Sequence, residues 1–159
     1  MNDINMKNIF IDNERESLRL RGYDYSQEGA YFVTICTDKM KCVFGRIIDG
    51  RMNLNELGFV AKKCWLDIPK HFSNIKLDAY VIMPNHIHGI FVNVGAKHLS
   101  PRNGFKIGVT KWHRNNYQKN GIIWQKNYYE HIIRDDNALN NIRNYIRNNP
   151  LKWQKDDFW

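Results

Sequence analysis

The chain is organised around the sequence VIMPNHIHGIFV, residues Val81–Val92. Two apolar segments flank residues 83–85, and His86, Ile87 and His88 open the second segment. Side chains alternate along a strand, so both histidines project from one face while Ile87 points the other way, into apolar packing. Two imidazoles side by side on a stiff strand provide half of a metal site. We expect two antiparallel strands joined by a short turn, with metal-binding groups on the second.

Length and composition set the class of protein. The 159 residues and a hydrophobic content of 43% fit one domain, residues 1–159. No run of about eighteen apolar residues occurs, and the N-terminal residues lack an apolar signal-peptide core. These features predict a cytoplasmic protein without a membrane partner. Cys36, Cys42 and Cys64 are odd in number and form no CxxC pair, which argues against a disulfide framework and a thiolate zinc knuckle.

The charge of the chain favours a polyanionic partner. Its formal net charge is +8 and its aromatic content is 13%, a combination that suits single-stranded nucleic acid. Residues 1–16 are polar and Asn-rich, and we expect a loosely ordered arm there. The following basic segment is either solvated surface or an arm that contacts phosphates and stacks on bases, and the sequence leaves both interpretations open. Its candidate residues are Arg15, Arg19, Arg21, Tyr23 and Tyr25.

Strand and helix signals alternate along the rest of the chain. In order, we expect strands over 30–37, 42–48 and 51–55, a helix over 56–68, strands over 75–83 and from 86 onward, a helix over 105–115, a strand within 122–134 and a final helix from 135 or 136. Asp49-Gly50 indicates a hairpin turn, Asn55 a helix cap, and Pro69 and Pro150 the ends of helices. The order predicts an α+β fold, one antiparallel sheet with helices packed on it.

The last helix carries a second group of candidate residues. Asn141, Tyr145 and Asn149 are spaced i, i+4, i+8 and lie along one ridge, at the edge of an apolar stripe. Taken singly, such a tyrosine is most often packing with a solvated hydroxyl, and such an asparagine is most often a helix-end residue. The alternative candidates for a reactive tyrosine are Tyr117, Tyr128 and Tyr129, and His131 is a further imidazole that could join the site.

Together with the two histidines, the ridge becomes chemically coherent. A metal held by two imidazoles and one amide oxygen keeps open positions and can polarise a phosphate oxygen. A neighbouring tyrosine can then attack the phosphorus and form a covalent phosphotyrosine. Imidazole ligands alone would suggest zinc or manganese.

Four segments resemble a known family. They are YDYSQEGAYFVTICT (Tyr23–Thr37), MPNHIHGI (Met83–Ile90), WQKNYYEHIIR (Trp124–Arg134) and NYIRNNP (Asn144–Pro150). In this order they resemble the single-tyrosine HUH transposases, and most closely the REP-associated tyrosine transposase group. The H-x-H pair followed by Y-x-x-x-N on the last helix is the specific part of the match.

The resemblance implies a fold, a site and a reaction. The fold is an RRM-like, ferredoxin-like antiparallel sheet with helices on it. His86, His88 and Asn149 would bind Mg²⁺ or Mn²⁺, and Tyr145 would be the nucleophile. Members cut single-stranded DNA beside short imperfect palindromes, leave a 5′-phosphotyrosine, and act as monomers or as homodimers.

Further DNA contacts are expected outside that site. To the arm residues named above we add Lys106, Lys111 and Arg114 on the basic helix and Arg143 on the last helix. Two other function classes stay open. One is a metal-dependent hydrolytic nuclease that uses the same histidines with water as nucleophile. The other is a non-catalytic nucleic-acid binding module.

Overall fold

The computed structural model describes residues 27–95, 101–117 and 121–153. The predicted arm and its five candidate DNA-contacting residues, from Arg15 to Tyr25, lie outside the described residues. The elements in order are β1 (Gly29–Cys36), β2 (Gly45–Ile48), β3 (Arg51–Leu54), α1 (Glu56–Leu66), α2 (Ile68–His71), β4 (Ile75–Ile82), β5 (His86–Asn93), α3 (Pro101–Tyr117), β6 (Tyr129–Ile133) and α4 (Asp136–Lys152).

The main sheet has four antiparallel strands in the order β4-β5-β1-β6. With α1 and α3 as connections, β1-α1-β4-β5-α3-β6 is a βαββαβ unit, the RRM-like arrangement. This confirms the predicted α+β class and the antiparallel pairing of β4 with β5. The expectation of one sheet is wrong in one respect, since β2 and β3 form a separate two-stranded sheet. These strands have four residues each and pair along their whole length with each other, so the turn at 49–50 makes a local hairpin.

Helices α1 and α3 cover one face of the sheet. Alternate residues of the strands, such as Val33, Ile35 and Ile87, are buried there in an apolar cluster with the indole of Trp65 from α1. Trp65 lies so close to β5 that a Cβ built on Gly89 would meet its Cζ2 at 2.1 Å. Packing this tight fixes the strand carrying the histidines against the helical layer.

Helix α4 covers part of the opposite face. Its apolar residues Ile142 and Ile146 pack against Phe32, Ile90 and Ile133 of the strands. The helix begins where predicted, because Asp135 caps it by accepting a hydrogen bond from the backbone N–H of residue 138 at 2.8 Å. Because α4 follows β6 directly, it must fold back over this face of the sheet.

Helix α4 is also tied to the edge strand β4. The Arg143 guanidinium donates two hydrogen bonds to Asp78, from Nε to Oδ1 at 2.9 Å and from Nη2 to Oδ2 at 2.6 Å. A two-point contact of this kind restricts rotation as well as distance. It therefore fixes how α4 is rotated about its own axis close to Tyr145, the predicted nucleophile, which lies two residues further along the helix.

Three predicted helix ends are wrong. Helix α1 has its predicted Asn55 cap, at 2.9 Å from the Gly58 N–H, but ends at Leu66. Pro69 instead lies in the first turn of α2, where a missing N–H costs nothing. Helix α3 begins at Pro101 rather than at residue 105, because a proline suits a first helical turn. Helix α4 continues through Pro150, because packing of the helix on the sheet outweighs the one backbone hydrogen bond that the proline removes.

The three cysteines and the described helices can be compared with two further expectations. Cys36 is buried, Cys64 is half-buried and Cys42 is exposed, and all three are free thiols. Burial raises the pKa of the Cys36 thiol to about 12, so this thiol is unreactive. Among the described helices, none combines the length and the apolar character that crossing a bilayer demands.

Candidate active site

His86 and His88 lie together on the face of the sheet that α4 covers. Their ring centroids are 4.4 Å apart, while Ile87 between them is fully buried on the other face, as the alternation predicted. Pairing of β5 with β1 places His88 opposite Thr34 and His86 opposite Cys36. His88 is 0% exposed and His86 is 6% exposed, so the pair is a buried polar group.

The Nδ1 atom of each ring is engaged by a neighbouring polar side chain. His88 Nδ1 lies 2.7 Å from the Thr34 hydroxyl oxygen, and His86 Nδ1 lies 2.7 Å from Asn85 Oδ1. Phe32 stacks on His88 with ring centroids 5.3 Å apart. These contacts hold both ring planes, and in each ring Nε2 is the nitrogen directed away from the side chain that engages Nδ1.

Helix α4 brings the predicted tyrosine and asparagine to the two histidines. Tyr145 Oη is 3.3 Å from His88 Nε2. Asn149, 2% exposed, shares a side-chain hydrogen bond with His86. Four residues of helix advance about 6 Å, and two residues of strand advance about 6.6 Å. A helix that runs antiparallel to β5 therefore matches Tyr145 to His88 and Asn149 to His86.

Burial keeps both imidazoles neutral at ordinary pH. Loss of solvation lowers the pKa of His86 to about 4, against a smaller opposing effect of its hydrogen bond with Asn149. Burial also holds the pKa of His88 well below its usual range, and the neighbouring His86 lowers it further. Neutral rings have a lone pair to offer, which is the state that metal binding requires.

The donor set is compatible with a divalent metal ion. In the described part of the chain, no cluster of three or more His, Cys, Asp and Glu side chains could hold one. A third protein ligand beside the two imidazoles would come from another kind of donor, and Asn149 is a buried amide that shares a hydrogen bond with His86. The imidazole nitrogens of this set suit a borderline transition-metal ion, and the amide oxygen is a ligand that Mg²⁺ and Mn²⁺ also accept.

The four described cations that were candidate DNA contacts do not adjoin the histidines. Lys106 is half-buried and donates to the Gln125 carbonyl at 2.8 Å, and burial lowers its pKa. Lys111 and Arg114 are exposed on α3, which packs on the other face of the sheet. Arg143 is engaged by Asp78, as described above. DNA contact by these four residues stays a prediction.

The other tyrosines are less well placed as nucleophiles. Tyr117 donates a hydrogen bond to Glu56 at 3.0 Å. The ring of Tyr128 lies 3.9 Å beneath the Arg102 guanidinium. Tyr129 is on the histidine face and packs edge-on against Phe32, with centroids 6.3 Å apart.

His131 lies on the histidine face as well. Its strand partner on β1 is Phe32, and its side chain is half-buried. Burial and the charge of Arg134 lower its pKa. It lies on the edge strand β6, two strands away from β5 and the histidine pair.

Two polar residues of the site were missed in the sequence. Thr34 carries no signal beyond its place in β1, and only the strand register brings it to His88. Asn85 directly precedes the histidine pair, but its sequence context indicates a turn residue, and only the fold shows its side chain against His86. The ring of Trp153 also lies near the site, 6.2 Å from the ring of His86.

Comparisons with known proteins point to one family. No protein-family model matches the sequence. An uncharacterised protein of Haemophilus influenzae is 41% identical over 169 residues, spanning 91% of this chain and 93% of the relative. A second protein of that organism, named as a REP-associated tyrosine transposase, is 30% identical over 142 residues, spanning 81% of this chain and 74% of the relative.

Two solved structures share the fold. A REP-associated tyrosine transposase bound to a REP hairpin matches with a TM-score of 0.62 at 17% identity, over 85% of this chain and 74% of that one. A crystal structure from Deinococcus radiodurans R1, named as that of a transposase, matches with a TM-score of 0.50 at 20% identity. The match covers 82% of this chain and 95% of that one.

Proposed function

The chain belongs to the REP-associated tyrosine transposases, and we propose that it cleaves and rejoins single-stranded DNA through a covalent 5′-phosphotyrosine at Tyr145. The observation that carries the proposal is the 3.3 Å approach of Tyr145 Oη to His88 Nε2. This contact supports a role in chemistry because it joins a helix residue to a buried imidazole across the sheet surface. A tyrosine that only packed at the border of α4 would need no such partner.

The residues proposed to hold the metal are His86, His88 and Asn149, with Mg²⁺ or Mn²⁺ as the ion. Bound there, the ion would supply Lewis-acid polarisation of a non-bridging oxygen of the scissile phosphate. In the tautomer with the proton on Nδ1, Nε2 of His88 has one lone pair, which can serve either the ion or the hydroxyl of Tyr145. With His88 as a ligand of the ion, the phenol would have to leave His88 and could turn toward the phosphate.

The covalent step balances as a transesterification. Tyr145 Oη forms a bond to phosphorus, and the bond from phosphorus to the 3′ oxygen of the preceding nucleotide breaks. The phenolic proton passes to water, and the departing 3′ oxygen takes a proton from water, so no oxidant, reductant or nucleotide cofactor is consumed. Attack of that 3′ hydroxyl, or of another, on the phosphotyrosine reverses the step and rejoins a strand.

The proposed substrate is single-stranded DNA that contains a hairpin. The solved transposase with the same fold is bound to a REP hairpin. The net charge of +8 supports a phosphate-rich partner. The sheet-covering helix α4 leaves the nucleophile half-buried rather than enclosed, as a polymeric substrate requires.

The decisive experiment separates this reaction from its alternatives. A labelled hairpin oligonucleotide is incubated with the protein and Mg²⁺ or Mn²⁺, and the products are run on a denaturing gel. We expect a labelled protein band that Tyr145→Phe abolishes. Tyr129→Phe is the matched control, because Tyr129 is a tyrosine on the same sheet face and should leave the adduct intact.

The same gel identifies the two alternative functions. Cleavage without an adduct that survives Tyr145→Phe would replace the proposal with a hydrolytic nuclease. Binding of the hairpin without cleavage by the unaltered protein, in either metal, would replace it with a non-catalytic binding module.

A further inference from the structure

We propose that Asn85 is a positioning residue that holds the proton of the neutral His86 ring on Nδ1, so that Nε2 is the nitrogen offered to a metal ion. The tautomer is a property of the protein alone, whereas its consequence for metal binding rests on the proposed function.

The orientation of the Asn85 amide is fixed by its surroundings. Asn85 is 1% exposed, and its Nδ2 donates a hydrogen bond to the backbone carbonyl of Met40 at 3.2 Å. Its own backbone carbonyl accepts from the Thr37 N–H at 2.9 Å and from the Thr37 hydroxyl at 2.8 Å. With the amide nitrogen turned toward Met40, the amide oxygen is the atom that faces His86.

An amide oxygen can only accept a hydrogen bond. The 2.7 Å separation between Asn85 Oδ1 and His86 Nδ1 is a hydrogen-bond distance, so the proton of that bond must come from the ring nitrogen. A neutral imidazole carries one ring proton, and placing it on Nδ1 leaves the lone pair on Nε2. Asn149 shares a side-chain hydrogen bond with the same ring.

The neighbouring histidine lacks this control. Thr34 approaches His88 Nδ1 at the same distance of 2.7 Å, but a hydroxyl can donate or accept. Thr34 therefore holds the plane of the His88 ring without choosing its tautomer. The two imidazoles differ in that respect although they are adjacent on one strand, and His88 is the one whose Nε2 also meets the hydroxyl of Tyr145.

The contact has a consequence for affinity. A histidine held in the tautomer that a metal requires loses no free energy to proton rearrangement on binding, and a partner at the far ring nitrogen raises ligand basicity. Removing such partners typically weakens metal binding by about 10- to 100-fold. We expect a loss in this range when the Asn85 acceptor is removed.

The test measures the tautomer directly. Nitrogen-15 chemical shifts of the histidine rings, recorded in chelator at neutral pH, report which nitrogen carries the proton, and the His86 signals are assigned by their loss in His86→Gln. We expect the Nδ1–H form for His86 in the unaltered protein. Asn85→Ala removes the acceptor and should lose this form, whereas Asn85→Asp keeps an acceptor at the same place and should retain it.

Thr37→Val is the control for anchoring of the turn. It removes the hydroxyl contacts to the carbonyls of Lys41 and Asn85 but leaves the Asn85 side chain in place. We expect the His86 tautomer to be unchanged in this variant, even if the protein is less stable. A Nε2–H form of His86 in the unaltered protein would overturn the proposal, as would an Nδ1–H form that persists in Asn85→Ala.

Binding of Mn²⁺ alone, followed by electron paramagnetic resonance, tests the consequence. We expect the dissociation constant to rise about tenfold or more in Asn85→Ala and to change less than about threefold in Asn85→Asp. Equal losses in both variants would contradict the proposed role, because they would trace to the amide's bond with Met40. If the tautomers are as predicted but the unaltered protein does not bind Mn²⁺, the proposed metal site is refuted, while the role of Asn85 in setting the tautomer of His86 is retained.

Discussion

The two faces of the main sheet are built from the same strands and do different work. Toward α1 and α3, alternate residues such as Val33 and Ile87 enter an apolar core. Toward α4, their neighbours Thr34 and His88 form a buried polar cluster. One strand can therefore support rigid packing on one face and a polar site on the other, because its side chains alternate between the faces while its backbone is shared.

The polar face is tolerated because its groups satisfy one another. Burying a polar side chain without a hydrogen bond costs about 1 to 3 kcal/mol on the scale of protein mutations. The Nδ1 atoms of His86 and His88 have partners at 2.7 Å, and Asn85 is bonded through its side chain and its carbonyl. The apolar face has the opposite requirement, which is close packing.

Substitutions at the neighbouring residues His88 and Ile87 of β5 test most directly whether the two faces are independent. His88→Ala should reduce cleavage by at least about a hundredfold, because several kcal/mol of charge stabilisation depend on a bound metal. Ile87→Ala should instead cost about 2 to 5 kcal/mol of unfolding free energy, since it leaves a cavity in the core.

Urea unfolding and single-turnover cleavage, measured on both variants, check this pair. Ile87→Ala should keep most of its activity per folded molecule, because its side chain points away from the site. A loss of activity in Ile87→Ala as large as that in His88→Ala, at full folding, would show that the two faces are not independent.

A smaller loss of unfolding free energy is expected when a methyl group is added where β5 and α1 pack together. Gly89→Ala places a methyl group 2.1 Å from Trp65 Cζ2, so strand or indole must move. Overpacking of this kind costs about 1 to 3 kcal/mol. Gly95→Ala is the control, since its methyl group meets Asn74 Cβ at an ordinary 3.6 Å. Thermal unfolding of both variants measures the difference, and equal melting temperatures would refute tight packing at Gly89.

The smallest effect is expected at the tie between α4 and β4. Hydrogen bonds from Arg143, then its charge and a backbone N–H, hold the pKa of Asp78 below its ordinary value of 3.8. A depressed carboxyl pKa gives stability that is present above pH 3.8 and is lost as pH falls through the folded-state pKa. Both side chains are partly exposed, at 21% for Asp78 and 31% for Arg143, so solvent screening leaves only a small loss of stability.

Asp78→Asn should therefore be less stable than the unaltered protein at pH 7, and the difference should shrink as the pH falls below 3.8. Because Tyr145 lies two residues after Arg143, we also expect cleavage to fall severalfold. Asp67→Asn is the control, as it removes ion pairs with Lys63 and Lys70 at the end of α1 and should leave cleavage unchanged. A stability difference that persists undiminished at pH 2 would contradict the ion-pair origin.

Much of the arrangement could be predicted from sequence because it rests on local periodicity. The alternation in residues 86–88 placed both imidazoles on one face, and the spacing of Tyr145 and Asn149 placed them on one helical ridge. The hairpin at 49–50 and the caps at Asn55 and Asp135 also follow from local chemistry. Their roles in chemistry came from a family resemblance, and those roles stay predictions.

The remaining features depend on which distant segments meet. Lys106 and Arg143 were expected to face DNA because a cation in a sequence carries no mark of its partner. Only the fold gives Lys106 the carbonyl of Gln125 and gives Arg143 the carboxylate of Asp78. Pro150 was expected to stop α4, but local preference is weaker than the packing of the helix on the sheet.

The periodicity of the sequence was enough to predict two separate pairs of residues, a histidine pair on one face of a strand and a tyrosine with an asparagine on one ridge of a helix. Periodicity fixes such pairs because it depends on neighbours in the chain. Only the tertiary structure decided that α4 runs antiparallel to β5, matching Tyr145 to His88 and Asn149 to His86. It also brought Thr34 to His88, 54 residues apart, and turned Asn85 toward His86. Such contacts are set by strand pairing and helix docking, which join residues that the sequence keeps apart.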